Sequence, residues 1–471
     1  MTAKVQSHLF DYKLTIKSPL GGFLDITNVI TEINMYEDMF GPFMRIEIVL
    51  ADALGIIDKL PILGDEEIRF QYEIEGQLAF LQDFMLYKVS DRNMIKARTH
   101  SAILHGISKA GLNDSLQSVY KPYIEKKPNE IIRDLFDNYL NKDLGLDAKF
   151  LINNKMGSLT KNKATIIGSG QSPSHLINFL KAESQSSRSD DYKNPSNFVF
   201  FETRDFFRLE NLSSYFEEEV KKEFFLNVPQ ETDKFEKGEN TFPSESIYSI
   251  NFVDLLDRID EVHRGAYLNE INIIDPILKR FKMHPIKEKD RFQFKYVRDF
   301  DDKLKHLTNS GFKYITDQGE VGKGEKPYAP HRRMLMTQID DIDYLGEGKE
   351  YPEIGYLEGR LFPGDVLNAP RKRHKNLNLS LHELNNLSSQ VVEITIPGDP
   401  DLQIGDLINI QLPQPTQIKT ESQTFLMLYG QKATFIITAI RHMYQLENDG
   451  YFMILSCSKE SFGEEPKSEV I

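Results

Sequence analysis

The chain is poor in cysteine, in basic charge and in long apolar runs, and each shortage removes a class of protein. Its one cysteine, Cys457, cannot close a disulfide within the chain, so no disulfide framework holds the fold. Cys457 lies in the alternating stretch YFMILSCS, where a small buried side chain is expected rather than a reactive thiol. Lys and Arg number 57 against 71 Asp and Glu, a formal net charge of -14. Surfaces that hold nucleic acid by neutralising phosphates are basic, so this balance excludes a protein whose surface is built for tight DNA or RNA binding. Nowhere do about 18 apolar residues run uninterrupted. The opening MTAKVQSHLFDYKLTI also lacks the cationic stretch, apolar run and small-residue cleavage site of a secretory signal. Neither a membrane-spanning segment nor a signal peptide is expected.

Constellations that carry chemistry are missing too. GEVGKGEK (319–326) imitates a phosphate-binding loop, but no Lys followed by Ser or Thr closes it and no apolar strand leads into it. Ser169 stands between Gly168 and Gly170 without the G-x-S-x-G spacing of a nucleophile elbow, and reads as loop. His100, His105, His175, His263, His284, His331, His374, His382 and His442 form no H-E-x-x-H and have no cysteines at ligand spacing. Glu217 to Glu219 read as a solvated charged face, since nothing gives them the unequal environments of an acid/base pair. The basic run Arg371 to Lys375 is the one candidate for contacting phosphate, though in an acidic chain such a run more often marks a contact with an acidic partner surface. No catalytic residue, metal ligand or cofactor-binding residue is assigned, and no enzyme activity is expected.

What is present is a repeated strand pattern. At 471 residues the chain exceeds the length at which one core keeps growing, so several packed units are predicted. LPILGDEEIRFQY near the N-terminus and PDLQIGDLINIQLP near the C-terminus each give an apolar residue, a Gly-Asp turn and an alternating run. The turn residues are Gly64 and Asp65 in one copy and Gly405 and Asp406 in the other. Period-two alternation places Ile68, Phe70 and Tyr72, and likewise Leu407 or Ile408 with Ile410 and Leu412, on one face of a half-buried strand. FMLYKVSDR and FIITAIRHMY follow, then HSAILHGISKA and YFMILSCSKES, which share a terminal Ser-Lys. FMRIEIVLAD and SQVVEITIPGD precede the turns. Gly-Asp turns and alternating strands recur in antiparallel sheets generally, so it is the common order of four elements that points to duplication.

Between the two ends the period changes. Ile131, Ile132, Leu135, Phe136, Tyr139 and Leu140 recur at helical spacing. A second helix is predicted with Ser172 as its N-cap and Pro173 at its first position, burying Leu176, Ile177 and Leu180. NFVFFETRDFFRLENL reads as a hairpin turning at Thr203 to Asp205, with Phe198, Phe200, Phe207 and Leu209 on one face. After a helix-like segment, Tyr267 to Ile274 is predicted to open the second sheet, interrupted by a polar insertion before the Gly-Asp half resumes.

In this order, ITEINMYEDMFGPFMRIEIVLAD with LPILGDEEIRF, YKVSDR, SPSHLINFLKAE with the FVFFETRDFFRLENL hairpin, and VVEITIPGDPDLQIGDLINIQLP with FIITAIRHMY resemble the baseplate hub family of contractile-tailed bacteriophages. That family is similar to the N-terminal part of type VI secretion spike proteins of the VgrG kind and to phage late control protein D. The resemblance spans most of the chain and is weakest over the insertion; Phe206 departs from it, standing where relatives often have Gly. It implies an α+β, mainly β fold: a first tube-like antiparallel β-barrel at 1–112, a mixed helix and hairpin docking domain at 113–245, and a second barrel split between 246–282 and 386–460. The insertion at 283–385 and a tail at 461–471 complete the division.

The resemblance further implies a structural virion protein of the tail baseplate, assembled in the host cytoplasm. As a homotrimer it would form a pseudo-sixfold ring between a sixfold tail tube and a threefold spike. Its partners would be the central spike, the tail tube or tube initiator, the tape measure protein and the baseplate wedge proteins, with DNA passing through the channel unbound. Two alternatives stand beside it: the hub of a contractile injection or type VI secretion machine, and a tail-associated cell-wall hydrolase.

Overall fold

The computed structural model describes residues 11–52, 55, 62–74, 77–96, 99–141, 149–152, 160, 163–186, 196–216, 218–226, 245–254, 268–275, 280–287, 331–336, 380, 383–384, 387, 390–413, 425–427, 434–445 and 450–459. The glycine-rich stretch 319–326 and the basic run 371–375 lie outside them, as do Glu217 and the tail at 461–471.

The N-terminal strands are β1 (Asp11–Lys17), β2 (Phe23–Asp25), β3 (Ile30–Asp38), β4 (Arg45–Asp52), β5 (Glu67–Ile74), β6 (Gln77–Lys96) and β7 (Thr99–Ser108). In β4 the alternation predicted from FMRIEIVLAD is realised: Ile46, Ile48 and Leu50 are buried while Glu47, Val49 and Ala51 are partly open. These strands pair in the spatial order β3-β4-β7-β6-β5-β1-β2.

The middle of the chain gives helix α1 (Lys109–Leu116), β8 (Pro122–Lys126), α2 (Pro128–Leu135), β9 (Lys149–Ile152), β10 (Ala164–Ile167), α3 (Pro173–Glu183), β11 (Phe198–Glu202) and β12 (Phe206–Asn211). Helix α2 runs on into a wider turn over Phe136–Leu140, and Ile131, Ile132, Leu135, Phe136 and Leu140 are buried. Helix α3 begins as predicted, with the Ser172 hydroxyl accepting from the His175 N–H at 3.3 Å and Pro173 leading the first turn. The hairpin of β11 and β12 is buried on both faces. Phe198, Phe200, Phe207 and Leu209 pack into a core with α2 and α3, as the alternation required, while Val199 and Phe201 enter a different core beneath the sheet.

The remaining strands are β13 (Val220–Leu226), β14 (Ser246–Ile247), β15 (Ser249–Asp254), β16 (Leu268–Asp275), β17 (Arg280–Lys287), β18 (His331–Met336), β19 (Gln390–Pro397), β20 (Leu407–Pro413), β21 (Phe425–Met427), β22 (Thr434–Gln445) and β23 (Gly450–Lys459). One expectation needs correction here. Of the strand predicted to open the second sheet, Tyr267 to Ile274, Tyr267 lies outside the described residues, and Leu268 to Ile274 instead lie in β16, which pairs with β17 and β18 in a separate three-stranded sheet. Its place beside β19 is taken by β15, which lies at the start of the segment expected to be helix-like. SINFVD alternates over only six residues, too few for periodicity to separate it from the helical pattern that was read after it.

The second set therefore pairs in the order β15-β19-β23-β22-β20, every contact antiparallel. This repeats β3-β4-β7-β6-β5 strand for strand. Among the described residues neither set closes into a barrel. Both belong to one continuous sheet of 15 strands, because β22 is long enough to pair with β20 through Leu407 to Asn409 and then with β3 through Glu32 to Asp38.

Candidate functional site

Duplication extends below strand order. In β6 the register against β7 shifts between Leu86 and Lys88, opposite Gly106 and His105. In β22 it shifts against β23 between Ile437 and Ala439, opposite Cys457 and Ser456. The residue before each bulge is held alike: Leu86 N–H donates to the Glu66 carbonyl at 2.9 Å, and Ile437 N–H to the Asp406 carbonyl at 3.0 Å. A bulge re-aims a strand at one defined place, so its recurrence at equivalent positions marks the two sheets as copies of one shape.

The two turns also correspond. Gly64 and Gly405 both adopt left-handed backbone, with φ of +100° and +92°, which only glycine enters without strain. The carboxylates differ from the sequence pairing. Asp406 accepts from the Gln403 N–H at 2.7 Å, but Asp65 is exposed and the equivalent cap is Glu66, which accepts from the Leu63 and Gly64 N–H groups at 2.7 and 3.0 Å. One extra residue after Gly64 moves the capping role along the chain.

Where β3 meets β22 the two sheets are fused through seven residue pairs, from Ala439 opposite Asp38 to Gln445 opposite Glu32. Beneath this seam lies a buried polar cluster. Glu37 Oε1 on β3 faces the Arg204 Nε at 2.9 Å and the His442 Nε2 at 3.0 Å, and the three side chains are 1%, 7% and 0% exposed. His442 Nδ1 lies 2.8 Å from the Tyr451 hydroxyl. Burial by itself would raise the Glu37 carboxyl, but the His442 hydrogen bond and the Arg204 charge overcome it and hold the group ionised below its usual range. Burial, then the Arg204 charge, pushes His442 down. The ring is therefore neutral, and a single tautomer serves both partners: Nε2–H donates to Glu37 while Nδ1 accepts from Tyr451.

Arg204 comes from the tip of the β11–β12 hairpin and reaches into both halves. Its guanidinium also donates to the carbonyls of Pro400 and Leu402, at 3.2 and 2.9 Å, in the turn before Gly405. Two residues earlier, Glu202 accepts from the N–H of Met44, the residue before β4, at 3.0 Å. Burial pushes the Glu202 carboxyl up to about 7. The hairpin is thus a pin driven between the two sheets. Around it, Tyr72 of the first sheet packs against Tyr444 and Tyr451 of the second, with ring centroids 5.3 and 6.1 Å apart, while Tyr444 and Tyr451 stack at 4.6 Å.

Such an arrangement can hold two sheets at a fixed angle. Among the described residues no group of three His, Cys, Asp or Glu side chains could hold a metal ion. Cys457 is fully buried in β23 and burial pushes its thiol well above the usual range, so it is a packing residue. Glu218 and Glu219 are exposed, as a solvated face requires. No helix among the described residues is long and apolar enough to cross a membrane. Sequence reasoning placed the hairpin turn at Thr203 to Asp205 but gave Arg204, Glu37 and Tyr451 no role. A cue was available for His442, which occupies an inward position on an apolar strand face and so requires a buried partner.

No protein-family profile matches the chain, and no curated protein sequence does. Solved structures do. The tail protein from Neisseria meningitidis MC58 superposes with a TM-score of 0.51 at 11% identity, covering 96% of this chain and 98% of its own. The 43 kDa tail protein of prophage MuSo2 from Shewanella oneidensis gives 0.50 at 10% identity, covering 96% and 99%. A component of the type VI secretion system from E. coli gives 0.40 at 9% identity, covering 97% and 79%. With both tail proteins matched almost from end to end, this chain has their fold.

Proposed function

We propose that the chain is a non-enzymatic structural hub of a phage tail baseplate, and that three copies close into a ring offering six similar surfaces. The observation that carries this reading is the duplicated five-strand order with its duplicated bulge. A chain with two like halves in threefold symmetry meets a sixfold tube on one face and a threefold spike on the other with one interface design. Edge strands left open in one copy are covered by ring closure.

In this reading the helical unit built on α2, α3 and the β11–β12 hairpin docks on the central spike. The tube or tube initiator, the tape measure protein and the wedge proteins are the other partners. The net charge of -14 suits a channel through which DNA slides without sticking, its field acting within about 8 Å at physiological salt. Size-exclusion chromatography with light scattering tests the proposal. A mass of three times the 54.4 kDa chain, alone or on addition of the spike, is expected; single-chain mass under both conditions contradicts it.

A further inference from the structure

The seam inside one chain carries information about the contact between chains. Pairing positions set the equivalences. Leu455 lies opposite Ile394 and Ile440, and Leu104 lies opposite Ile48 and Val89. Ile394 lies opposite Ile250, as Ile48 lies opposite Ile33. Hence β15 is the counterpart of β3, with Asn251 standing where β3 has Asn34. By the same steps the far half of β6 is the counterpart of the far half of β22, with Asn93 standing where β22 has Met443.

Within the chain, β3 pairs with the far half of β22. Among the described residues no strand pairs with their counterparts in this way. Among the described residues β15 pairs only with β19, and β6 pairs with β5 only as far as Met85, leaving the edge from Val89 to Met94 open beyond it. The side chains agree with the edges. Ile33, Met35 and Tyr444 are fully buried at the seam, whereas their counterparts Ile250 and Phe252 are half-buried and Met94 is 66% exposed.

We infer that the seam is repeated between copies: β15 of one chain pairs antiparallel with Val89 to Met94 of the next, placing Asn251 opposite Asn93. The partner is a second copy of this chain. The contact is head-to-tail, which generates a closed ring when its rotation closes, and it rests on the ring reading given above. One difference from the internal seam is built in: Asp91, at φ +51°, and Arg92 stand where β22 has His442 alone. The intermolecular ladder is therefore kinked at Asp91 and runs regularly on either side of it.

Directly opposed residues in an antiparallel pair approach closely enough for a disulfide, and the native Cys457 is buried. The test is the double variant Asn93→Cys, Asn251→Cys in the full chain under mild oxidation, with light scattering on the same samples. Covalent dimers and a closed three-chain species on non-reducing gels are expected, and much less cross-linking from the shifted pair Asn93→Cys, Ser249→Cys. A trimeric mass without cross-links overturns this interface while leaving the ring intact. Equal cross-linking of the shifted pair overturns the register. Single-chain mass throughout removes the ring itself.

Discussion

Arg204, Glu37 and His442 bring three ionisable groups into a space closed to water, which is tolerable only because each meets a partner. Removing the cation leaves an uncompensated buried carboxylate. Arg204→Met should therefore cost about 3–5 kcal/mol in denaturant unfolding, well beyond an exposed Arg→Met change, and a loss under about 1 kcal/mol would mean that the seam is not pinned from this point. Glu202 and the Glu37–His442 pair respond to pH with opposite sign. Glu202 holds its proton more tightly when folded, with a value near 7 against an ordinary 4.5. Its contribution is complete below about pH 4.5 and is lost as pH rises to about 7. At about 1.4 kcal/mol per unit this amounts to roughly 3 kcal/mol for a fully buried group. His442 and Glu37 titrate below their ordinary values of 6.5 and 4.5; their contribution is present above those values and lost as pH falls through them. Glu202→Gln should therefore flatten the decline in stability between pH 5 and 7 and leave the acid side unchanged. Unfolding curves across that range check it, and an unaltered pH profile contradicts it.

At the scale of elements, the turns entering β5 and β20 look alike in sequence but differ in surroundings. A Cβ at Gly64 would meet nothing within 4 Å, whereas one at Gly405 would fall 2.3 Å from the Tyr215 ring. Gly64→Ala should cost about 1–2 kcal/mol from left-handed backbone alone, and Gly405→Ala clearly more, since it adds overpacking of roughly 1–3 kcal/mol. Equal losses in thermal melts would show that Tyr215 moves aside freely. Most elements could be read from local pattern: the Ser172 cap, the helical stripe ending at Leu140, the hairpin and the four strands of each copy. Local pattern also misled in one place, where β15 was too short to declare itself and β16 alternated well enough to be mistaken for it. The candidate site was legible only in fragments. Glu37 and His442 are separated by 405 positions, and periodicity specifies which face a residue occupies without specifying which distant strand lies beside it. The shift of the capping carboxylate from Asp65 to Glu66 was hidden for a related reason, since a one-residue insertion in a turn leaves the strand pattern on either side intact.

For the whole molecule, the central matter is that one chain holds two copies of a five-strand unit, fused edge to edge through β3 and β22 and fixed by a hairpin from a third region. A hinged pair of copies would present two surfaces at variable angles; a pinned pair presents them at one angle, as the proposed ring would need. Among the described residues the three-stranded sheet of β16, β17 and β18 pairs with neither copy. Electron-microscope class averages of the purified particle seen end-on test the plan most directly. The account predicts six like lobes at one radius around a central opening, contributed by three chains. Alternating lobes at two unlike radii, or particles with no rotational symmetry, would contradict it.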